Sequence, residues 1–348
     1  MALRIGLAYN EKPSGDDDPP SPEGEPPSTE RDRWAEWDDP ATIDAVAAAL
    51  GRHGEVVRLE AVDDFPARLR ESRPDIVFNI AEGRAGPNRE AHVPAICEFF
   101  DIPYTGSDPL TLSLALEKRR AKEVFRARGV PTPSYLVVDP ANARVPERVP
   151  LPAVVKPLYE GSSKGIPDRA YCATREAVRR RVAEVLEAYR QPALVERFLP
   201  GREFTCAILG NGPATRILPI VEVRLDALPA GAAPIYGYEA KWVWDSADAP
   251  LEIFACPAAI EPALAGAIER TALAAHRALG CRDWSRVDLR LDERGRPQVL
   301  EVNPLPGILP DPRQNSCFPK AARAAGLDYD ALIGAVLAIA LERCGIAP

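Results

Sequence analysis

The apolar and polar positions in the first third of the chain follow strand and helix patterns in turn. Residues 3–9 and 75–80 are short apolar runs, which are typical of buried strands. Between them, residues 42–50 have the apolar spacing of a helix, and residues 55–60 predict another strand. Strands that alternate with helices predict a small parallel sheet with covering helices.

The rest of the chain mixes helix and strand patterns without strict alternation. Pro131 and Pro133 end a long helical pattern, and a proline-rich connector separates the next two strand patterns. This order predicts two α+β units after the first α/β unit. The predicted helices cover 110–128, 174–189, 261–279 and 329–343, and the predicted strands cover 134–138, 153–156, 193–196, 203–209 and 217–223.

Charged and aliphatic residues alternate along 286–292, and a similar period of two follows along 299–303. The short charged segment between these stretches contains Gly295, a residue typical of tight turns. The pattern therefore predicts a β-hairpin.

One face of this hairpin carries a candidate metal site. A turn centred just before Gly295 would pair Asp288 with Glu301 and Arg286 with Asn303. Two carboxylates, an amide oxygen and a guanidinium on one face suit Mg²⁺ held with nucleotide phosphates. The alternative is a plain solvent-exposed sheet face, but the rigid proline-containing bend after Asn303 favours the metal site.

Residues 12–40 are rich in Pro, Asp, Glu and Ser, which predicts a long exposed loop. Disorder or plain solvent exposure is the first interpretation of this loop. A functional lid is the alternative, since loops of this length are often one or the other.

Composition excludes several classes of protein. A net charge of −8 argues against a nucleic-acid binder, and no apolar run approaches the ~20 residues of a membrane span. The N-terminal residues become polar too soon for a signal peptide. The seven cysteines are scattered without a CxxC pair, which predicts a reducing cytoplasm and no zinc site. The three histidines are isolated, so no Ser/His/Asp arrangement can be inferred.

Three further segments have the chemistry of a nucleotide site. Lys156 ends a predicted strand before the small-residue segment 161–165, and such a pair can hold phosphates, although a simple turn is the alternative. The linker 196–203 suits an adenine edge and a ribose, or it is a charged connector. Residues 236–242 combine aromatic rings with Lys241 and could form a half-buried strand.

In their order along the chain, these segments resemble the ATP-grasp superfamily, and within it the D-alanine–D-alanine ligase family. The resemblance runs from about residue 75 to 340. The matching motifs are Ile102–Ser107, Ala115–Lys118, Gly129–Pro133, Val155–Pro157, Gly161–Ser163, Gly201–Thr205, Tyr238–Lys241, Arg286–Asp288 and Leu300–Asn303.

The resemblance implies a three-domain ATP-grasp fold that mixes α/β and α+β architecture. Residues 1–113 would form an N-terminal parallel α/β domain that contributes to the substrate site. Residues 114–199 would form a central lid domain, and residues 200–348 a C-terminal domain that carries the hairpin. The two α+β domains would hold ATP between them.

The resemblance also implies a role for each matching residue. On the nucleotide side, these are Lys118, Lys156 and Lys241 for the phosphates, Gly161 and Ser163 in the mobile loop over them, Glu196, Phe198 and Leu199 for adenine, and Glu203 for the ribose. On the reactive side, they are Asp288, Glu301 and Asn303 for a pair of Mg²⁺ ions (or Mn²⁺), Arg286 for the transferring phosphoryl group, Ser162 in the loop, and the Gly307 N–H for the oxyanion.

The implied chemistry is ATP-dependent amide formation. A substrate carboxylate attacks the γ-phosphate of ATP and becomes an acyl phosphate, an amine then attacks the acyl carbon, and phosphate leaves. Carboxylates are poor electrophiles, so phosphorylation supplies a leaving group. Closure of the loop at 161–165 should exclude water that would hydrolyse the acyl phosphate.

The amino-acid pocket departs from the family pattern. Glu82 stands where the family has a histidine, and Trp242 where it has a tyrosine. A short insertion precedes Ser316, the candidate for a family serine, and Arg313 is new nearby. Glu82 could accept a cationic amine, Arg313 could pair with a carboxylate, and Trp242 would add an apolar wall. The predicted substrate is therefore another amino acid, a small peptide or a natural-product acid.

Other functions stay open at this point. The alternatives are a true D-alanine–D-alanine ligase with a remodelled pocket, a non-catalytic ATP-binding regulator, and an ATP-grasp kinase. The intact Arg286, Asp288, Glu301 and Asn303 argue against a dead enzyme. Small-molecule carboxylates and amines are the predicted partners. The family resemblance adds a homodimer built through the N-terminal domain.

Overall fold

The computed structural model describes residues 3–13, 32, 34–245 and 251–347. Most of the loop predicted at 12–40, namely residues 14–31 and 33, lies outside the described residues. Among those described, the strands form three sheets.

The N-terminal unit is the predicted parallel α/β layer. Strands β1 (Leu3–Tyr9), β2 (Gly54–Glu60) and β3 (Ile76–Asn79) pair in the order β2-β1-β3, and both pairings are parallel. Alternating residues of β1 are buried on both faces, which explains its continuous apolar run. Helix α1 (Pro40–Leu50) was predicted, whereas α2 (Phe65–Ser72) and α3 (His92–Phe99) were not.

The predicted helix at 110–128 is two helices, α4 (Pro109–Leu116) and α5 (Lys118–Ala127). Glu117 between them has an extended backbone, and its carboxylate accepts a hydrogen bond from the backbone N–H of Arg120. The N–H of Lys118 bonds instead to the carbonyl of Leu158. Glu117 therefore caps α5, and this tertiary contact interrupts the single predicted helix.

The central unit is an antiparallel sheet with one long covering helix. Strands β4 (Tyr135–Val138), β5 (Ala153–Pro157), β6 (Tyr171–Cys172) and β7 (Ala193–Arg197) pair in the order β4-β7-β5-β6, and α6 (Arg175–Tyr189) packs on them. Apolar residues of α6, including Val178 and Val182, share a buried core with Val155 of β5. Strands β4, β5 and β7 and helix α6 agree closely with the predicted elements, whereas β6 was not predicted.

The C-terminal unit contains the third sheet. Its strands are β8 (Glu203–Leu209), β9 (Arg216–Ile217), β10 (Val221–Val223), β11 (Phe254–Ala255), β12 (Trp284–Leu291) and β13 (Pro297–Asn303). The order is β11-β10-β8-β12-β13, with β9 beside β8. The strand predicted at 217–223 is thus two short strands. The segment 236–242, for which a half-buried strand was one interpretation, instead contains the helix α7 (Tyr238–Trp242).

Helices cover both faces of this sheet and tie the units together. Helix α8 (Pro262–Leu279) packs on one face, and Phe125 of α5 joins that core. Thus α5, which we assigned to the central domain, packs with the C-terminal unit. Helices α9 (Cys317–Ala324) and α10 (Tyr329–Cys344) belong to the core on the other face.

That second core is shared with the N-terminal unit. Leu332 and Val336 of α10 are buried with Ile43 and Val46 of α1. Trp284 of β12 is fully buried nearby and makes edge contacts with both Phe78 of β3 and Phe318 of α9. The two ends of the chain therefore complete one core.

The hairpin of β12 and β13 pairs Asp288 with Glu301 and Arg286 with Asn303, as the sequence predicts. The turn itself is centred one half-residue earlier than predicted, because Leu289 pairs with Val299. Leu300 is the extra residue of a β-bulge between these two registers. Without the bulge, Glu301 would lie on the opposite face of the sheet from Asp288.

Within the described residues, no single helix is long and apolar enough to cross a membrane. Helices α9 and α10 meet that criterion only as a pair, which is bent by 98°. Both contribute buried residues to the shared core.

Candidate functional site

A cavity of about 350 Å³ lies where the three units meet. The central unit contributes β5, the loop at 161–165 and the end of β7, while the C-terminal unit contributes the polar face of the hairpin. The N-terminal unit contributes residues from 35–39, Glu82 and Glu90. With the exception of Arg313, all predicted site residues line this cavity.

The polar face of the hairpin is held by contacts among its own residues. Arg286 donates to Asp288 from Nε and Nη2, with Nη2 lying 2.8 Å from Oδ2. Asn303 Nδ2 donates to the same oxygen at 3.2 Å. Thr205 of the adjacent strand β8 donates to Asp288 Oδ1 at 2.6 Å. These donors hold the Asp288 carboxylate in one orientation on the hairpin face that lines the cavity.

Glu301 lies among three cations. Its Oε2 is 3.8 Å from Lys118 Nζ, and its Oε1 is 3.9 Å from Arg286 Nη2. Burial raises the pKa of Glu301, but Lys118, Lys156 and Arg286 outweigh burial and lower that pKa to about 2. Glu301 is therefore ionised throughout the neutral range.

The donor set of this face fits a divalent metal. Asp288, Glu301 and Asn303 present the carboxylate and amide oxygens that Mg²⁺ prefers. The Arg286 guanidinium lies beside them, with Nη2 2.8 Å from Asp288 Oδ2. We therefore regard Asp288, Glu301 and Asn303 as the residues that would hold a metal here.

Glu196 binds two buried lysines on the wall next to the hairpin. Its carboxylate pairs with Lys156 at 3.1 Å and with Lys122 through the other oxygen. Lys122 also donates to the hydroxyl of Thr132 and to the carbonyl of Leu300 in the bulge. Sequence reasoning missed Lys122, because its pattern is that of an ordinary exposed helix position.

The far end of the cavity is more apolar. Leu199 is buried there, and Phe198 packs edge-on against Tyr171. The guanidinium of Arg290 lies 4.5 Å from the centre of the Phe198 ring and pairs with Glu203 at 3.2 Å. This end offers an aromatic wall beside a carboxylate.

Hydrogen bonds with residues outside it hold the loop at 161–165. Ser162 and Ser163 have positive φ values of 48° and 61°, which are strained for residues with a side chain. Ser163 Oγ donates to the carbonyl of Tyr236, and Trp242 Nε1 donates to the carbonyl of Ser162 at 3.0 Å. The N–H of Gly161 donates to Glu36 at 2.9 Å.

Glu36 is the residue that connects this loop to the N-terminal unit. Both of its oxygens accept from Arg89, and one lies 3.4 Å from Lys164. A Cβ at Gly161 would lie 2.4 Å from a Glu36 oxygen, so a larger residue there would displace the Glu36 carboxylate. Burial raises the pKa of Glu36, but Arg89 and Lys164 lower it overall to about 2. Glu36 lies in the acidic loop, and no sequence motif marks it as a site residue.

The predicted substrate residues divide into two groups. Glu82, Trp242 and Ser316 line the cavity, and the Ser316 hydroxyl bonds to the Gly307 carbonyl at 3.3 Å. Arg313 is exposed and pairs instead with Asp311 at 2.6 Å. The structure therefore does not bring Arg313 into the site, because its neighbour Asp311 holds the guanidinium on the surface.

Comparisons with known proteins agree with this geometry. The family model described as "D-ala D-ala ligase C-terminus" matches residues 124–338. A D-alanine–D-alanine ligase of Nitrosomonas europaea is 37% identical over 86% of this chain and 90% of its own length. Another, of Pelotomaculum thermopropionicum, is 33% identical over 83% and 87%. The protein y4sG of Sinorhizobium fredii is 36% identical over 88% and 89%.

A solved structure shares the fold. The crystal structure of D-alanine–D-alanine ligase from Bacillus anthracis complexed with ATP superimposes with a TM-score of 0.72 at 22% sequence identity. The match covers 98% of both chains. The chain therefore belongs to the D-alanine–D-alanine ligase family and is a ligase of the ATP-grasp fold.

Proposed function

We propose that this ligase uses ATP to join a carboxylate to an amine through an acyl phosphate, and that its substrates are not a pair of D-alanine molecules. The observation that carries the proposal is a cavity with an intact charged hairpin face and an altered substrate wall. Glu82 and Trp242 form part of that wall. The substrate would be another amino acid, a small peptide or a natural-product acid.

The nucleotide would bind across the central and C-terminal sheets. The apolar end at Phe198 and Leu199 suits adenine, and Glu203 suits the ribose hydroxyls. Lys118 and Lys156 at the hairpin end suit the phosphates. Glu196 would lie near the adenine, and its ion pair with Lys156 would also position that lysine for the phosphates.

Asp288, Glu301 and Asn303 would hold Mg²⁺ at the phosphates. Bound Mg²⁺ would offset phosphate charge and orient the γ-phosphate for transfer. The low pKa of Glu301 keeps this ligand set anionic.

The chain's own groups divide the two chemical steps between them. A substrate carboxylate attacks the γ-phosphate and forms the acyl phosphate with release of ADP, and an amine then displaces phosphate. Arg286 supports charge on the transferring group, and the Gly307 N–H supports the oxyanion of the second step. The loop of Ser162 and Ser163 excludes water from the acyl phosphate.

Lys241 makes the phosphate site sensitive to alkaline pH. Burial and the nearby Arg286 guanidinium lower the pKa of Lys241 to about 8. The cationic form is lost as pH rises through that value, so kcat/KM for ATP is expected to fall about tenfold per pH unit above it. A pH profile of ADP release checks this, and K241R, whose guanidinium stays charged, should abolish the fall. Identical profiles for both proteins would contradict it.

Trp242 is expected to stabilise the closed loop through one hydrogen bond. The W242F variant keeps the ring and removes the Nε1–H donor to the Ser162 carbonyl. Removing this hydrogen bond should destabilise the closed loop by about 0.5–1.5 kcal/mol. The result should be a roughly 2- to 10-fold higher KM for ATP with little change in kcat. Steady-state kinetics measure this effect, and W244F, two residues along, is the control. Equal KM values for W242F and W244F would refute the role.

The proposed function is tested by ADP release from Mg²⁺–ATP across a matrix of amino-acid pairs, with mass analysis of the products. An amide product from a pair other than D-alanine, at a higher kcat/KM than D-alanine gives, supports the proposal. Selective turnover of D-alanine alone would defeat it.

A D-alanine–D-alanine ligase of peptidoglycan synthesis is the second candidate. The names of several relatives that cover most of this chain favour it. The same assay separates the candidates, because this one requires D-alanyl-D-alanine as the main product.

We also propose a homodimer through the N-terminal unit. Phe99 and Leu110 there are 83% and 68% exposed, which is unusual for large apolar side chains. Light scattering of the wild type and of F99S would test this, with a monomeric wild type as the opposing result.

We further propose a cytoplasmic location. The seven cysteines are free, as is typical of proteins in a reducing compartment.

A further inference from the structure

The N-terminal unit gives the cavity an excess of carboxylates. Among the described residues of this unit, five acidic side chains line it: Glu36, Asp38, Asp39, Glu82 and Glu90. Two of them already have cations, since Glu36 pairs with Arg89 and Lys164, and Asp39 lies 3.5 Å from Lys12.

The remaining three carboxyls face the cavity without such partners. Within the described part of the chain, no hydrogen-bond donor or cation lies within bonding distance of the side chains of Asp38, Glu82 or Glu90. Glu90 is the clearest case, because its residue is only 8% exposed and still lines the cavity. Burial of an unpaired carboxyl is costly, so this arrangement is suited to a ligand that brings the missing charge.

Glu82 and Glu90 act on each other. Burial raises the pKa of Glu82, and the Glu90 carboxylate raises it further; burial likewise raises the pKa of Glu90. The Arg89 guanidinium lowers the pKa of both carboxyls and Lys118 lowers that of Glu90, but Glu36 already binds Arg89 through both oxygens. A cation placed between Glu82 and Glu90 would remove their repulsion and let both ionise.

The residues of this wall indicate which kind of cation it would bind. Among the described residues, no group of three acidic, histidine or cysteine side chains is arranged to hold a metal ion. The amino-acid substrate of the proposed ligase would bring an organic ammonium or guanidinium to these carboxyls. An α-amino acid brings one ammonium, whereas three unpaired carboxyls line this wall. The wall therefore suits a substrate that carries more than one positive charge.

We propose that Glu82 and Glu90 form a subsite for a side-chain cation of the substrate, so that the ligase acts on basic amino acids bearing a second amine or a guanidine. This subsite rests on the proposed ligase function, whose reactive carboxyl it would orient toward Arg286. Glu82 and Glu90 determine specificity in this scheme and take no part in the bond changes.

The test compares lysine with norleucine, its uncharged counterpart, and ornithine and arginine with alanine, each as both enantiomers. With Mg²⁺–ATP and an amine partner in excess, the basic member of each pair should show at least about a tenfold higher kcat/KM for ADP release, the effect of one charge-assisted hydrogen bond. E82Q and E90Q should each remove this preference by raising KM for the basic substrate. The control is E71Q, because Glu71 is exposed on α2.

Each outcome separates the subsite from the ligase function. Turnover of norleucine and alanine as fast as their basic counterparts would overturn the subsite and leave the ligase function standing. If no carboxylate supports ADP release, titration calorimetry with lysine and ornithine on the full-length protein decides. Binding that E90Q weakens tenfold, with an unchanged melting temperature, supports the subsite. Absence of binding to the folded wild type overturns it.

Discussion

The R286K variant is expected to release ADP about 10²- to 10³-fold more slowly than the wild type while keeping its fold. Arg286 contacts Asp288 through both Nε and Nη2, so its planar guanidinium is held in one orientation across the hairpin face. A lysine keeps the charge but offers a single flexible ammonium, which cannot reproduce the paired contact while supporting the transferring phosphoryl group. Single-turnover ADP release at saturating ATP measures the loss.

The matched control for this variant is R216K on strand β9 of the same sheet, where the side chain is exposed. Its rate should equal that of the wild type. Circular dichroism and melting temperature show whether either variant has lost its fold. A fully active R286K would remove Arg286 from the chemistry and would weaken the proposed function with it.

The E301Q variant is expected to require about 10- to 100-fold more Mg²⁺ for half-maximal activity. Glutamine keeps the shape of Glu301 and removes its charge, so one ligand is weakened and the cations of Lys118 and Lys156 lose their anionic neighbour. A second readout is independent of turnover: the binding of a fluorescent ATP analogue should show the same shift in its Mg²⁺ dependence.

Glu293 gives the control for this prediction, since it lies exposed in the turn of the same hairpin and makes a surface ion pair with Arg197. E293Q should leave the Mg²⁺ dependence unchanged, because such exposed pairs contribute little. If E301Q and E293Q gave the same Mg²⁺ titration, Glu301 would not be a metal ligand.

The strands and long helices were predictable because their apolar spacing is set by burial on one or both faces. Strand β1 and helix α8 are examples, and both lie within a residue of the predicted bounds. The break at Glu117 was not predictable. It depends on the carbonyl of Leu158, which the fold brings to the N–H of Lys118 from far along the chain.

The hairpin site was predictable in its pairs but not in its construction. Alternation along β12 places Arg286 and Asp288 on one face, and the paired residues of β13 follow from it. The bulge at Leu300 has no sequence signal of its own, because any residue can be the extra one. The bulge places Glu301 on the same face of the hairpin as Asp288. It also directs the Leu300 carbonyl toward Lys122.

The charged partners from other units were the least predictable part of the site. Glu36, Glu90 and Lys122 each belong to a segment whose local pattern indicates exposure. Their burial arises only when the three units close on one cavity. Arg313 is the opposite case. Its position in the chain indicated a substrate contact, but its guanidinium lies on the surface and pairs with Asp311.

The core shared by α1 and α10 has a consequence for how the protein is made. Ile43 and Val46 lie near the start of the chain, and their partners Leu332 and Val336 lie near its end. Domains usually fold during synthesis in order of emergence, at ~5–20 residues per second. Here α1 leaves the ribosome long before α10 and cannot cover that apolar face until α10 has been translated. The nascent chain must therefore carry an open apolar surface while all the residues between these two helices are being synthesised.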